Sequence, residues 1–129
     1  MNAKGVRGLL MVLVLALGGC SAQKSLAQRL AGADRVIVTN TSDGLGITVT
    51  GEQVKKVVEA IATAKKESPV VTAAVGLSLE FYKGVEHLGT VIAAYEVFVV
   101  DHEPYRDTTG TLKAIYERYR EEHPPTLRP

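Results

Sequence analysis

The segment from Thr50 to Lys66 has the sequence TGEQVKKVVEAIATAKK, and its apolar residues recur with the period of an α-helix. Four of them lie at i, i+3, i+4 and i+7, on one face of that helix: Val54, Val57, Val58 and Ile61. Full burial of each of these side chains contributes roughly 1.5–3 kcal/mol. The helix must therefore pack on an apolar surface, and a sheet is the only large candidate in the rest of the chain.

The residues at both ends of this segment are typical of helix boundaries. Thr50 and Gln53 have the spacing of a capping box, in which the two side chains satisfy free amides at the helix start. Lys65 and Lys66 complement the negative end of the helix dipole, and Pro69 cannot continue the helix. We expect the helix to begin near Thr50 and to end before Pro69.

The segments on either side favour β-structure. Residues 35–39 and 47–50 flank turn residues that include Asp43-Gly44, which predicts an opening β-hairpin. Residues 75–82 alternate apolar and polar side chains, as in a strand with one buried face. Residues 88–100 exceed the usual strand length of about 3–10 residues, so they form either one long bent strand or two strands broken near residues 94–96.

A second helix is predicted near the C-terminus, before Pro124 and Pro125. Its apolar stripe repeats the i, i+3, i+4, i+7 spacing: Leu112, Ile115, Tyr116 and Tyr119. Strands in antiparallel succession with two separate helices predict an α+β fold. We expect an antiparallel sheet of about four or five strands, with two helices packed on one face.

The first twenty residues have the organisation of a secretory leader. Lys4 and Arg7 precede an apolar run, Leu9–Leu17, and small residues follow it. A helix over residues 8–20 would be only about 20 Å long, whereas the hydrocarbon core of a bilayer is about 30 Å thick. The run therefore indicates a signal peptide and not a transmembrane anchor.

Leu17-Gly18-Gly19-Cys20 resembles the lipobox of bacterial lipoproteins, with an aliphatic residue three positions before the cysteine and two small residues ahead of it. The resemblance covers residues 1–20. It implies that a diacylglycerol is attached to the Cys20 sulfur, that the leader is cut between Gly19 and Cys20, and that the new amine is acylated. Ser21 follows in place of Asp, which in Gram-negative lipoproteins implies sorting to the outer membrane. The alternative is a plain cleaved signal peptide.

The chain is long enough for one domain, since it has 129 residues. We expect a signal peptide at 1–19, a lipidated tether at 20–33, a single α+β domain at 34–123 and a frayed tail at 124–129. The tether is expected to run into one or two helical turns, and the alternative is a short helix with a thin apolar stripe at Leu26 and Leu30. The net charge of +1 gives no basic surface for nucleic acid, and one cysteine excludes an internal disulfide and a cysteine-based zinc cluster. No cofactor is expected apart from the covalent lipid on Cys20.

The polar segment 101–109 is predicted to be a loop that leads into the last helix. A helix start favours anions, so a ligand site, if there is one, is expected at this junction. Tyr105 and Arg106 would contact the ligand, Asp107 would hold the loop, and His102 would add pH dependence. The alternative is a surface loop in which Asp107 caps the helix.

No metal site or catalytic residue is expected. Asp101-His102-Glu103 contains metal-binding residue types, but in a strand its middle side chain points away from the other two. A zinc-protease motif would also need histidine at position 106, where Arg106 stands. The remaining acid–base candidates are isolated in the sequence, and only a deep pocket around them would indicate an enzyme: Glu80, Glu86, His87 and Glu96.

These observations favour an outer-membrane lipoprotein whose small periplasmic α+β domain binds an unidentified partner. We expect it in the cell envelope, anchored to the bilayer by its acyl chains and available to an envelope protein. The alternatives are a small lipid-anchored envelope enzyme, such as a hydrolase, and a carrier of a small ligand or metal.

We predict that Cys20→Ser releases the protein from the membrane or blocks removal of the leader, because Cys20 is the only thiol available for lipid. Membrane fractionation and the intact mass of the wild-type protein test this. The wild-type mass should exceed that of the bare chain from Cys20, and an unmodified thiol in a mature, membrane-free protein would contradict lipidation.

Overall fold

A computed structural model describes residues 22–67 and 76–124. The leader, Cys20, Pro69 and residues 125–129 lie outside these ranges. The described helices are α1 (Ala22–Leu30), α2 (Glu52–Thr63) and α3 (Thr111–Glu122). The described strands are β1 (Arg35–Asn40), β2 (Gly46–Thr50), β3 (Lys65–Lys66), β4 (Gly76–Lys83), β5 (Glu86–Ala94), β6 (Val97–Val100) and β7 (Glu103–Arg106). No helix in the described ranges is long and apolar enough to span a bilayer.

The strands form one seven-stranded antiparallel sheet in the order β2-β1-β4-β5-β6-β7-β3. β1 and β2 form the predicted opening hairpin, with Arg35 opposite Thr50 and Thr39 opposite Gly46. β4 and β5 are the longest strands and lie side by side near the middle of the sheet. The α+β class and the antiparallel sheet are thus confirmed.

One face of the sheet is buried, because alternate side chains of each long strand pack with the helices in a single apolar cluster. Phe81 of β4 and Phe98 of β6 are fully buried there, together with Leu30 of α1 and Ile61 of α2. The opposite face carries the other half of the side chains, which are half-buried or exposed. We call this the open face.

The predicted number of strands and arrangement of helices are wrong, since the sheet has seven strands and the described residues include three helices. The run 88–100 forms two strands separated by a turn in which Tyr95 has a φ of 60°. The predicted loop 101–109 contains β7, in which Pro104 pairs with Val99. The Pro104 carbonyl accepts from the amide of Glu67, on the side of β7 away from β6. In an antiparallel strand the N–H and the carbonyl of a residue point the same way, so the N–H that proline lacks would not have bonded to β6.

The segment predicted as a tether, 20–33, contains α1. Leu26 and Leu30 are buried against the sheet and α2, so residues 22–30 belong to the folded domain. The buried Gln23 side chain donates from Nε2 to the carbonyls of Ile61 at 3.0 Å and Ala64 at 2.6 Å. These bonds satisfy a carbonyl in the last turn of α2 and the carbonyl of its C-cap residue, and they fix the start of α1 beside the end of α2.

The boundaries of α2 also differ from the prediction. Gly51 is the N-cap residue, with a φ of 67°, and no side chain caps the helix, so the Thr50–Gln53 capping box does not form. The helix ends at Thr63, and the two lysines form β3 instead of a last helical turn. Val58 is only partly buried, whereas Ala60 is fully buried.

We predict that Val57→Asp unfolds the domain or lowers its free energy of unfolding by about 3 kcal/mol or more, because Val57 is fully buried and an unpaired carboxylate there has no partner. Lys55→Asp, on the exposed side of the same helix, should change it by less than about 0.5 kcal/mol. Thermal melts measure both, and equal effects would contradict the assigned buried face.

Candidate functional site

His102 lies at the tip of the β6–β7 hairpin. Asp101 and His102 form its two-residue turn and have φ values of 51° and 67°. Two consecutive positive φ values are the geometry of a type I′ turn, which matches the twist of the flanking strands. Both side chains are exposed. His102 is therefore held by turn geometry at a protruding position and not inside a cleft.

Tyr105 and Arg106 project from opposite faces of β7. Tyr105 is 5% exposed and stacks on Phe98, with ring centroids 5.8 Å apart and an angle of 21° between the rings. It belongs to the apolar core, so its ring is not available to a ligand at the surface. A prediction based on a polar loop missed this because alternation in β7 sends Tyr105 inward.

The Arg106 guanidinium is occupied by two carboxylates on the open face. Nε and Nη2 donate to Glu67 Oε2 at 2.7 and 2.6 Å, and Nη1 donates to Glu96 Oε1 at 3.0 Å. The hydrogen bond that the guanidinium donates to Glu67 is the largest of the causes that raise the pKa of Arg106, and the charges of both carboxylates add to it. This ion-pair network ties β7 to the residue after β3 and to the β5–β6 turn.

Asp107 caps the start of α3 from three residues before the N-cap residue, Gly110. Its side chain is buried, with Oδ1 accepting from the Thr109 amide at 2.8 Å and from the Thr109 hydroxyl at 2.6 Å. Oδ2 accepts from the Leu112 amide at 2.9 Å, so the carboxylate satisfies an amide in the first turn of the helix. The predicted ligand residues therefore do not converge, and three of the four act in turn, core or cap positions.

A groove of about 620 Å³ lies between α2 and the start of α3. Most of the residues that line it are of polar types: Gln53, Lys56, Glu59, Thr63, Thr109, Gly110, Thr111 and Ala114. The groove includes the helix start that the sequence suggested for an anion. The Asp107 carboxylate, bonded to the Leu112 amide, already places a negative charge at that start and opposes a second anion there.

A polar cluster on the open face brings together residues that the sequence left isolated. We name it the open-face cluster: Arg35, Glu80, Tyr82, His87 and Thr90. Its contacts begin at Glu80 Oε1, which lies 3.6 Å from His87 Nε2 and 3.4 Å from the Tyr82 hydroxyl. His87 Nε2 is 3.0 Å from the Thr90 hydroxyl, and the Arg35 guanidinium lies over the Tyr82 ring at 4.8 Å.

A β-bulge builds this cluster. Gly89 pairs with Phe81 and His87 pairs with Tyr82, so Leu88 has no partner on β4. In a regular strand, His87 would point to the opposite face from Thr90, because the two residues are three positions apart. The bulge returns the imidazole to the open face beside the carboxylate of Glu80. Bulges commonly re-aim side chains at functional positions.

The side chains of the open-face cluster are placed as in a contact surface. The Glu80 and His87 side chains are 38% and 44% exposed and lie on a sheet face, not inside a cleft. Within residues 22–67 and 76–124 no group of three His, Cys, Asp or Glu residues could hold a metal ion. The cluster offers an aromatic ring, a guanidinium, an imidazole and a carboxylate side by side, which suits hydrogen bonding and ion pairing with a partner.

An apolar strip adjoins the cluster on the same face. Ile92 and Val99 are cross-strand neighbours, and each is nearly half exposed. Pro104 continues the row on β7, opposite Val99. The open face thus combines polar and apolar contacts across β4, β5, β6 and β7. The alternation of residues 75–82 already placed Glu80 and Tyr82 on one side, but no pattern in the sequence placed His87 beside them.

Comparison with protein-family models, with curated proteins and with solved structures finds no match to this chain. The function is therefore inferred from the geometry of the described residues and from the resemblance of residues 1–20 to lipoprotein leaders.

We predict that Asp107→Ala lowers the free energy of unfolding by about 1–3 kcal/mol, because it removes a buried acceptor from the start of α3. Thr108→Ala is the matched control, since Thr108 is the exposed neighbour. Chemical denaturation of both variants measures the difference. A silent Asp107→Ala would mean that the carboxylate does not stabilise the helix.

Proposed function

We propose that this protein is a lipid-anchored binding module of the bacterial envelope, held by Cys20 and contacting an envelope protein through its open face. The lipobox-like sequence Leu17-Gly18-Gly19-Cys20 supports the anchor. The open-face cluster and the adjoining apolar strip support the binding role. The single observation that carries the proposal is the bulge at Leu88, which presents His87 beside Glu80 on the sheet face that none of the described helices covers.

The composition of this surface fits a protein partner. Tyr and Arg are enriched where proteins contact one another, and apolar groups beside polar ones are the usual anatomy of such contacts. Tyr82 with Arg35 over its ring supplies the aromatic and cationic part, while Ile92 and Val99 supply apolar contact. Polar side chains around them can fix the orientation of the partner.

Both margins of the sheet oppose binding by strand addition. At β2, the Gly46 carbonyl lies 2.9 Å from His123 Nε2, and the Thr48 carbonyl accepts from Arg118 Nη2 at 3.2 Å. At the other margin β3 is only two residues long and consists of exposed lysines. Short, lysine-rich edges discourage further strands. A partner is therefore more readily accommodated on the open face than along an edge.

The enzyme alternative would need a cleft that excludes water around its acid–base groups. Glu80 and His87 instead stand half exposed on the open face, and Glu96 is paired with Arg106. These positions support a binding role over a hydrolytic one. The carrier alternative would place its ligand in the α2–α3 groove, which shares no lining residue with the open-face cluster.

Photocrosslinking in cells tests the proposed surface. A photoreactive amino acid at Thr90, on the open face, should give a discrete adduct with an envelope protein identified by mass spectrometry. The same amino acid at Lys113, exposed on α3, is the matched control and should give none. Adducts of equal yield from both positions, or none from Thr90, would contradict binding through the open face.

We further predict that Glu80→Gln weakens the Thr90 adduct, because it removes the charge facing His87 and Tyr82 while keeping the side-chain shape. Glu117→Gln, an exposed carboxylate on α3, should leave the adduct unchanged. Thermal melts of both variants should match the wild type within about 0.5 kcal/mol, since both positions are at the surface. An unchanged adduct in Glu80→Gln would exclude the cluster from the contact.

A further inference from the structure

The start of α1 determines where a lipid on Cys20 can lie relative to the domain. α1 begins at Ala22, two residues after Cys20. Two residues of fully extended chain span at most about 7 Å. An acylated Cys20 therefore has to lie within that distance of Ala22, whatever its conformation, and the nearest surface of the domain has to lie close to the bilayer.

The neighbours of Ala22 are fixed by buried contacts. Gln23 donates to the Ile61 and Ala64 carbonyls, so the start of α1 lies beside the end of α2, immediately before β3. Lys65 of β3 is the cross-strand neighbour of Arg106 in β7. Arg106 is in turn the cross-strand neighbour of Val97, next to the β5–β6 turn. We call this end of the domain, with the start of α1, β3 and the β5–β6 turn, the anchor end.

The other end of α1 leads to the opposite end of the sheet. The amide of Asp34, four residues after α1, donates to the Tyr82 carbonyl at 2.8 Å. Gly32 lies beside the Lys83 side chain. β4 runs from Gly76, at the level of the β5–β6 turn, to Lys83, next to the β4–β5 turn, a length of about 23 Å at 3.3 Å per residue. The β4–β5 turn is therefore far from the anchor.

We propose that the anchor end faces the bilayer and that Lys65 contacts anionic phospholipid headgroups. This rests on the proposed lipidation of Cys20. Lys24, Lys65 and Lys66 are the exposed basic residues nearest to Ala22 in α1 and β3. Lys66 Nζ pairs with Glu103 Oε1 at 3.1 Å, whereas Lys65 has no ion pair with any residue in the described ranges. Exposed lysines beside a membrane anchor are attracted to anionic headgroups.

This orientation keeps the open-face cluster clear of the headgroups. Tyr82 is six residues along β4 from Gly76, about 20 Å from the anchor end. His87 pairs with Tyr82 and lies at the same height. The cluster and the β4–β5 turn, where Val85 is almost fully exposed, then project into the periplasm. A partner could reach the cluster without displacing lipid.

Lysine footprinting of the lipidated protein tests the orientation. The full chain, processed in its host, is extracted and reconstituted in vesicles of phosphatidylethanolamine and phosphatidylglycerol, and an amine-reactive reagent labels its lysines. Mass spectrometry gives the labelling of each lysine relative to the same sample unfolded in urea. We expect Lys65 to be labelled several-fold less than Lys83 at the β4–β5 turn and Lys55 on α2, although all three are exposed in the structure.

The outcomes separate the inference from the function on which it rests. Equal labelling of Lys65 and Lys83, or stronger protection of Lys83, would overturn the orientation. Protection of Lys65 that is no weaker in vesicles of phosphatidylcholine alone would overturn the contact with anionic headgroups. The intact mass of the extracted protein is measured in parallel: a missing acyl mass on Cys20 defeats the proposed anchoring itself, whereas a lipidated chain with an unprotected Lys65 defeats only the orientation.

Discussion

One face of β4 carries the buried side chains of Leu77, Leu79 and Phe81. The helices pack on that face and cover these side chains. A single face of the sheet is buried, so each helix has to bring its apolar stripe to that face. Because side chains alternate with a period of two, a shift of one residue in β4 would expose this entire set. The register of the central strands is therefore the constraint on which both the core and the open face depend.

The elements with a sustained hydrophobic period could be predicted from sequence. Enough periodic residues to distinguish helix from strand are present in α2, α3, β4 and the β1–β2 hairpin. β3 and β7 could not, since they are short and polar and become strands only by pairing with each other and with β6. Pro104 also argued for a loop, and only its position with the missing N–H toward the margin makes it compatible with β7.

The same limit applies to the candidate functional residues. The polar residues before α3 resemble a ligand site because polar side chains are frequent where a helix begins, and Asp107 lies there for that structural reason. Glu80 and His87 gave no comparable pattern, because their approach depends on the unpaired Leu88. A bulge interrupts the period of two, so an analysis that relies on the period assigns the wrong face to every residue beyond it.

The helix α1 has the largest consequence for the proposed function, although its stripe of Leu26 and Leu30 is too thin to predict a packed helix. A flexible tether of fourteen residues, as predicted over 20–33, would allow every face of the domain to meet the membrane or a partner. With α1 packed from Ala22 onward, the linker shrinks to two residues and the domain loses most of that freedom. The buried bonds of Gln23 then do more than close the end of α2, because they decide which end of the sheet stands next to an anchor on Cys20. Under the proposed lipidation of Cys20, this restriction of orientation would raise the effective concentration of the open face toward partners at a fixed height above the bilayer, and lower it toward all others.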